Sequence, residues 1–349
     1  GVRKPDGGPA PDSFDLAVIA RDDVPREGLA AAVADAKALA LLTTLRRDGW
    51  SLEPPGEAAL LEKIRRNGVP LVEAAGCKPY RGVLTGFNEA FLIDTATRDR
   101  LVAADPASAA IIKPYLRGQD IDRWQPDWAG LWMIFTRRGI DIERYPAVLA
   151  HLQHHRCALE PRPANWAPTN DKPTWPGRKD GSYKWYEIQD SVDYWPRFAN
   201  PKIYYQEIQF HARYAFDAEG RFGNNKTFFV ETDDLTILAV LNSPLMWWHN
   251  WRHLPHMKDE ALTPMGFKME QVPIARFGQQ QSDALLPTVN LALQRTADVR
   301  SADRAILDWL RTEFGLEKIP RALGEPSRLD ADGFAAAVRA ALRSPLDVP

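Results

Sequence analysis

KPYRGVLTGFNEAFLID, residues Lys78 to Asp94, places two basic residues and a Thr-Gly turn ahead of an asparagine and a short apolar run. Two apolar runs flank Thr85-Gly86-Phe87-Asn88, a pattern that predicts a β-hairpin. Gly86 permits close backbone approach to a ligand. Asn88 can donate and accept at once, as adenine recognition requires. The stretch therefore reads either as a plain hairpin in a core or as a surface that touches a polyanion, and the residues around it decide between the two.

Toward the N-terminus the texture is helical. Phe14 to Ala20 reads as one buried strand. Arg26 to Gly49 is Ala/Leu-rich and predicts one long helix ended by glycine, and a second helix runs from about Glu57 to Asn67, stopped by Gly68 and Pro70. The chain begins with Gly1 and a Pro/Gly/Asp-rich stretch, which reads as flexible and suggests a piece of a larger protein.

Toward the C-terminus, short strands take over. A helix-like segment follows Asp94, and Pro114 and Gly118 bound an irregular basic loop. Leu131 to Thr136 is a continuous apolar strand. Ile142 to Glu160 is an amphipathic helix, with Tyr145, Val148, Leu149, Leu152 and Leu159 on its core side. Residues 160–182, rich in Pro, Gly, Asn and Lys, form a long loop of the kind that is functional or disordered. Strand-like runs follow at Trp185–Gln189, Pro201–Gln209, Ala212–Asp217 and Thr227–Thr232. Leu235–Ser243 is helix-like after an Asp233/Asp234 cap. From about Ser282 the chain is again helical. The fold class is α+β: many short strands with helices, flanked by helical N- and C-terminal segments.

With 349 residues, 45% hydrophobic and 26% charged, the chain is long enough for a sizeable core. No apolar run reaches the ~20 residues of a membrane helix. Two cysteines, Cys77 and Cys157, suggest no disulfide framework and fit a reducing cytoplasm. A net charge of −2 argues against a strong nucleic-acid binder unless the basic residues share one face.

Catalytic patterns are missing. There is no phosphate-cradling GxGxxG or Walker pattern and no GxSxG elbow. No glutamate has lysine two residues on, and the Pro54-Pro55 pair lacks the aromatic of an adenine-methyltransferase loop. His151, His154, His155 and Cys157, and the pair His249/His253, have zinc-compatible helical spacing. Without further partners they read as polar helix faces, so no metal and no catalytic residue is assigned. Lys113, Arg117 and Gln119 around a Pro/Gly kink suit phosphates and base edges. Arg178, Lys179 and Lys184 alternate with Tyr183, Trp185 and Tyr186, a mixture that can form a nucleic-acid surface. Asn224, Asn225 and Lys226 tip a turn.

The ordered series GVLTGFNEAFLID, IIKPYLRGQDIDRW, IERYPAVLAHL, WYEIQ, FANPKIYYQEI, NNKTFFV and LAVLNSPLMWW resembles the TaqI-like C-terminal specificity domain of adenine-specific DNA methyltransferases, including type IIG restriction-modification enzymes and related phage-defence methyltransferases. The resemblance covers roughly Gly76 to Phe277, and GWSLE at Gly49–Glu53 is similar to the family's lead-in. It implies that this chain is the reading half. A separate N-terminal methyltransferase domain, absent from this chain, would bind S-adenosylmethionine and modify N6 of a flipped adenine, and no cofactor would bind here. It also implies a layout of a helical lead-in (1–75), a target recognition domain (76–280) and a helical C-terminal segment (281–349).

Double-stranded DNA is the implied partner, with no membrane. The backbone or scaffold contacts implied are Arg81, Thr85, Gly86, Asn88, Lys113, Arg117, Gly118 and Lys202. Signatures shared by readers of different targets should shape the scaffold, so base readout is expected from loops 160–184 and 209–226. The candidates there are Arg178, Lys179, Lys184, Arg213, Arg221, Asn224, Asn225 and Lys226. The competing reading is a protein-interaction module of a defence complex that keeps the scaffold without touching bases.

Overall fold

A computed structural model describes residues 13–19, 23–41, 45–46, 49–50, 53–170, 174–316 and 318–343. The N-terminal Pro/Gly/Asp-rich stretch and parts of 42–52 lie outside the described residues. The chain divides into two units, residues 1–70 with 273–276, and residues 71–272 with 277–349.

In the first unit the expected long helix is corrected. Among the described residues of that stretch, Leu29–Asp35 alone is helical, and Lys37–Leu41 forms a strand antiparallel to Ser13–Ala17, with Ser13 opposite Leu41. Ala and Leu favour a helix by only a few tenths of a kcal/mol per residue, so a strand partner overrides them. Pro55–Asn67 is helical: Pro55 opens it, where an N–H is not needed, and Glu57 in the first turn and Arg65 and Arg66 in the last are charges placed to suit the helix dipole. The chain leaves that helix at Gly68 and pairs Gly68–Pro70 with Pro273–Ala275.

The second unit is built on two four-stranded sheets. The first is antiparallel, ordered Tyr214–Asp217, Lys202–Gln206, Thr227–Glu231 and Tyr80–Arg81. The second is ordered Phe222–Gly223, Ile112–Leu116, Trp132–Ile134 and Leu92–Ile93, with only the Phe222–Gly223 pairing parallel. Phe198 stacks on Phe222 at 4.3 Å and tilts against Phe229 at 4.6 Å, so one ring ties strands of both sheets into a single core. Tyr204 and Tyr205 are both fully buried, because their strand is covered on both faces.

Three further expectations change. Tyr80–Asp94 is not a hairpin: Tyr80–Arg81 joins the first sheet and Leu92–Ile93 the second, with a turn of helix, Asn88–Phe91, between them. Trp185–Gln189 is a run of turns rather than a strand. Pro114 lies inside the strand Ile112–Leu116, not in a loop. Proline fits there because the amide of Tyr115 faces Leu131, which turns the nitrogen of Pro114 toward Phe222–Gly223, and that short strand reaches only Tyr115 and Leu116.

Helices enclose the sheets. Thr95–Ala104 starts at Asp94, whose carboxylate accepts from the Thr97 amide, and Leu235–Leu241 starts at Asp234, which accepts from Thr236. Pro146–Gln153 and Arg156–Leu159 together carry the expected apolar face, with Val148, Leu152 and Leu159 fully buried. A helix of 36 residues, Gln279–Phe314, ends at Gly315 in the left-handed conformation, and Ala331–Arg343 follows. No described helix is long and apolar enough to cross a membrane.

Candidate nucleic-acid interface

The opening stretch is a seam. At its first end the amide of Gly82 donates to Thr227 and that of Val83 to Gly223. A methyl group on Gly82 would sit 2.0 Å from the Asn224 carbonyl oxygen, so glycine is required for this approach. The Arg81 Nε donates to the Asn225 carbonyl at 2.8 Å, and the Asn224 amide donates to Leu116 at 2.9 Å. The structure thus brings Arg81, Arg117, Gly118, Asn224, Asn225 and Lys226 to one end of the two sheets. The side-chain amide of Gln206 closes the group by donating to the carbonyls of Gly118 and Ile121.

Charge in this group is largely spent. Arg117 and Asp120 meet at 2.8 Å, and the buried carboxylate also caps the Arg117 amide. That pairing holds the guanidinium firmly protonated. Lys226 lies 2.8 Å from Glu207. Each pair sets a negative charge against the cation and so weakens its pull on an external anion.

At the second end, Asp190 brackets Leu84: the Leu84 amide donates to its carboxylate at 3.0 Å, and the Asp190 amide donates back to the Leu84 carbonyl. Thr85 is buried, its hydroxyl donating to Asn88 Oδ1 at 2.7 Å. Gly86 has φ +87°, and a Cβ there would press on Gln189 at 2.8 Å. The Thr-Gly-Phe-Asn motif is therefore a structural turn with only its Asn88 side exposed.

Arg178 is the centre of this end, and its assignment to base readout is corrected. It is 4% exposed, and its guanidinium donates to the carbonyls of Leu159, Thr85, Glu187, Lys184 and Trp185. Burial lowers its pKa to about 10, still far above neutral, so it stays charged and fully engaged. Its backbone also closes a neck: the Arg178 amide donates to Glu160 and its carbonyl accepts from Arg162, both at 3.0 Å. Arg138 assists by donating to Ile188 and Gln189, beside the buried carboxylate of Glu187. Lys179 and Lys184 remain exposed on the rim.

Two other candidates belong to the scaffold. Lys202 is fully buried, 2.8 Å from Asp217, and donates to Phe198 and Asn200. Arg221 pairs with Asp217 and Glu219. Neither is free to read a base. Lys113 is half-buried in its strand, and burial lowers its pKa. Arg213 lies away from the seam, 3.6 Å from Asp122. Asp190, Glu187 and Arg138, which hold the seam in shape, escaped sequence reasoning, because an isolated acid or arginine in a loop carries no spacing signal. Among the described residues no group of three His, Cys, Asp or Glu side chains is arranged for a metal. His151 instead contacts the Ala90 carbonyl, and His249 stacks on His253 at 4.3 Å.

Residues 113–274 match the TaqI-like C-terminal specificity domain family, and residues 278–349 match a domain of unknown function, DUF8810. The segment that matches the specificity-domain family supplies most strands of both sheets. The type II methyltransferase M.PaeR7I of Pseudomonas aeruginosa is 26% identical over 197 residues, 55% of this chain and 30% of that protein. The type II methyltransferase M.XhoI of Xanthomonas vasicola is 23% identical over 196 residues, 55% of this chain and 32% of its own length. This chain therefore spans about a third of the curated relatives it matches. Among solved structures, the type IIL restriction-modification enzyme MmeI, in complex with DNA, aligns at TM-score 0.42 and 14% identity, covering 79% of this chain and 32% of that one. The type IIG restriction endonuclease BpuSI aligns at TM-score 0.38 and 11% identity, covering 81% and 35%.

Proposed function

We propose that this chain is the DNA sequence-recognition part of an adenine-N6 DNA methyltransferase of a restriction-modification or phage-defence system. The observation that carries the reading is the family match over 113–274, the residues that pack against the seam and carry Lys179, Lys184, Asn225 and Lys226. The seam would lie along duplex DNA. Arg81, Lys179 and Lys184 would meet phosphates, and Asn88, Asn225 and Lys226 would meet groove edges. A separate catalytic domain would hold S-adenosylmethionine, which supplies the methyl group, while this part steadies the duplex as the adenine leaves the stack. The cytoplasm, where such DNA lies, is the proposed compartment.

The test is fluorescence anisotropy of the chain with labelled mixed-sequence duplexes. Three phosphate contacts would weaken binding about fortyfold between roughly 50 and 200 mM salt. Lys184→Ala should remove about one unit of salt slope, leave the fold intact and weaken all sequences alike. Affinity that ignores salt, or no affinity, would sink the reading. It would favour a protein-docking module instead, for which the pairs Arg117–Asp120 and Lys226–Glu207 already speak.

A further inference from the structure

A cleft of about 850 Å³ opens beside the seam, bounded by the 119–129 turn, residues 211–213, the long helix and the 324–328 turn. Six arginines and four acidic residues line it, an excess of positive charge within a chain of net charge −2. Their arrangement says more than their number. Arg213, Arg300 and Arg328 all converge on the one carboxylate of Asp122, at 3.6, 4.0 and 3.8 Å. Each distance is too long for a direct hydrogen bond, so Asp122 satisfies none of the three closely, and the Arg213 Nε donates instead to His211 at 2.7 Å. Arg328 has a second partner, Glu325, at 2.7 Å. Arg300 is largely buried, and its Nη1 has no hydrogen-bond partner. A buried donor left unmet is costly and calls for an explanation.

The 119–129 turn carries a second anomaly. Trp124 has φ +77°, a left-handed conformation that a bulky side chain rarely adopts. It is held there because its amide donates to the Tyr214 carbonyl and its own carbonyl accepts from Phe216. Strain of this kind, in a residue that lines a cleft, points to a ligand contact. The Arg123 guanidinium stands 6.0 Å from the Trp124 ring. A set of arginines with more positive than negative charge, lining a cleft with Trp124, suits a phosphate attached to a flat or sugar-like body.

We propose that this cleft binds a backbone phosphate of the DNA that the seam reads. The site builds on the function proposed above, and Gln119 joins the two surfaces, since it lines the cleft one residue after Gly118 of the seam. The long helix Gln279–Phe314 would thereby serve as a clamp on the strand, gripping without reading sequence.

The experiment uses the full chain and the double variant Arg295→Ala/Arg328→Ala. Both side chains line the cleft and are 75% and 65% exposed, so the fold should persist, as an unchanged melting temperature without ligand would show. Inorganic pyrophosphate should raise the melting temperature of the unaltered chain and not of the variant. Duplex affinity should fall on the order of tenfold in the variant, with the salt slope smaller by about two. A seam variant, Lys179→Ala/Lys184→Ala, should weaken duplex binding but keep the pyrophosphate response. Absence of a pyrophosphate response in the unaltered chain, or an equal response in the cleft variant, overturns the site. A cleft-dependent pyrophosphate response with duplex affinity untouched overturns the DNA assignment and leaves a site for free phosphate esters. Should the unaltered chain bind no duplex yet respond to pyrophosphate, the recognition function fails and the source of the phosphate with it.

Discussion

Arg178 and Arg300 are both removed from solvent, and their surroundings are opposite. Around Arg178 five carbonyls converge, and loop 178–190, the neck at Glu160 and the turn at Thr85 close on one guanidinium. Around Arg300 the nearest carboxylate oxygen is 4.0 Å away, and one nitrogen has no partner. A cation whose donors are all taken builds structure. A cation held in place with donors to spare can build a site. Counting basic residues along a loop cannot separate the two, and accounting for each donor can.

The largest expected effect is at Arg178. Arg178→Ala strands several buried carbonyls at once, and roughly 4 kcal/mol of stability should be lost. Denaturant unfolding checks this, and a loss under about 1 kcal/mol would break the contrast. Alkaline titration comes next. Burial raises the pKa of Tyr204, Tyr205 and Tyr214 above the usual phenol value. These groups ionise near pH 10 in the unfolded chain and not in the folded one. The unfolded state therefore releases protons first, and stability is lost as pH rises. For three such groups the slope approaches about 4 kcal/mol per pH unit above pH 10, measurable by unfolding at stepped pH. A stability that stays flat to pH 11 would mean that these rings are not sealed in. The smallest effect should be at Arg300. Arg300→Met removes an unmet donor while keeping the bulk, and should change stability by less than about 1 kcal/mol in either direction. A loss as large as that of Arg178→Ala would show that Asp122 depends on it and would erase the distinction.

Much of the second unit was legible in the sequence. The apolar face of Pro146–Gln153, the capped helix at Leu235 and the strands at Lys202, Tyr214 and Thr227 follow from periodicity and turn residues. What failed depends on distant partners. Lys37–Leu41 has helical composition and becomes a strand only because Ser13–Ala17 lies alongside. Tyr80–Asp94 has a hairpin's pattern, yet its two halves are claimed by different sheets. Of the residues singled out for the site, Arg81, Arg117, Gly118, Asn224, Asn225 and Lys226 lie at one end of the two sheets, whereas Arg178, Lys202 and Arg221 are taken up by internal partners that no spacing in the sequence announces. The cleft was invisible, because Asp122 and Arg300 are far apart in sequence and neither belongs to a recognisable spacing.

The neck at Glu160–Arg162 and Arg178 has one more implication. Where the chain leaves and where it returns are adjacent, so the number of residues between the two points is almost independent of everything below them. Substitution, shortening or lengthening of that excursion costs the rest of the molecule little, provided an arginine closes its base. That excursion could then change in length and composition with no need to refold its foundation.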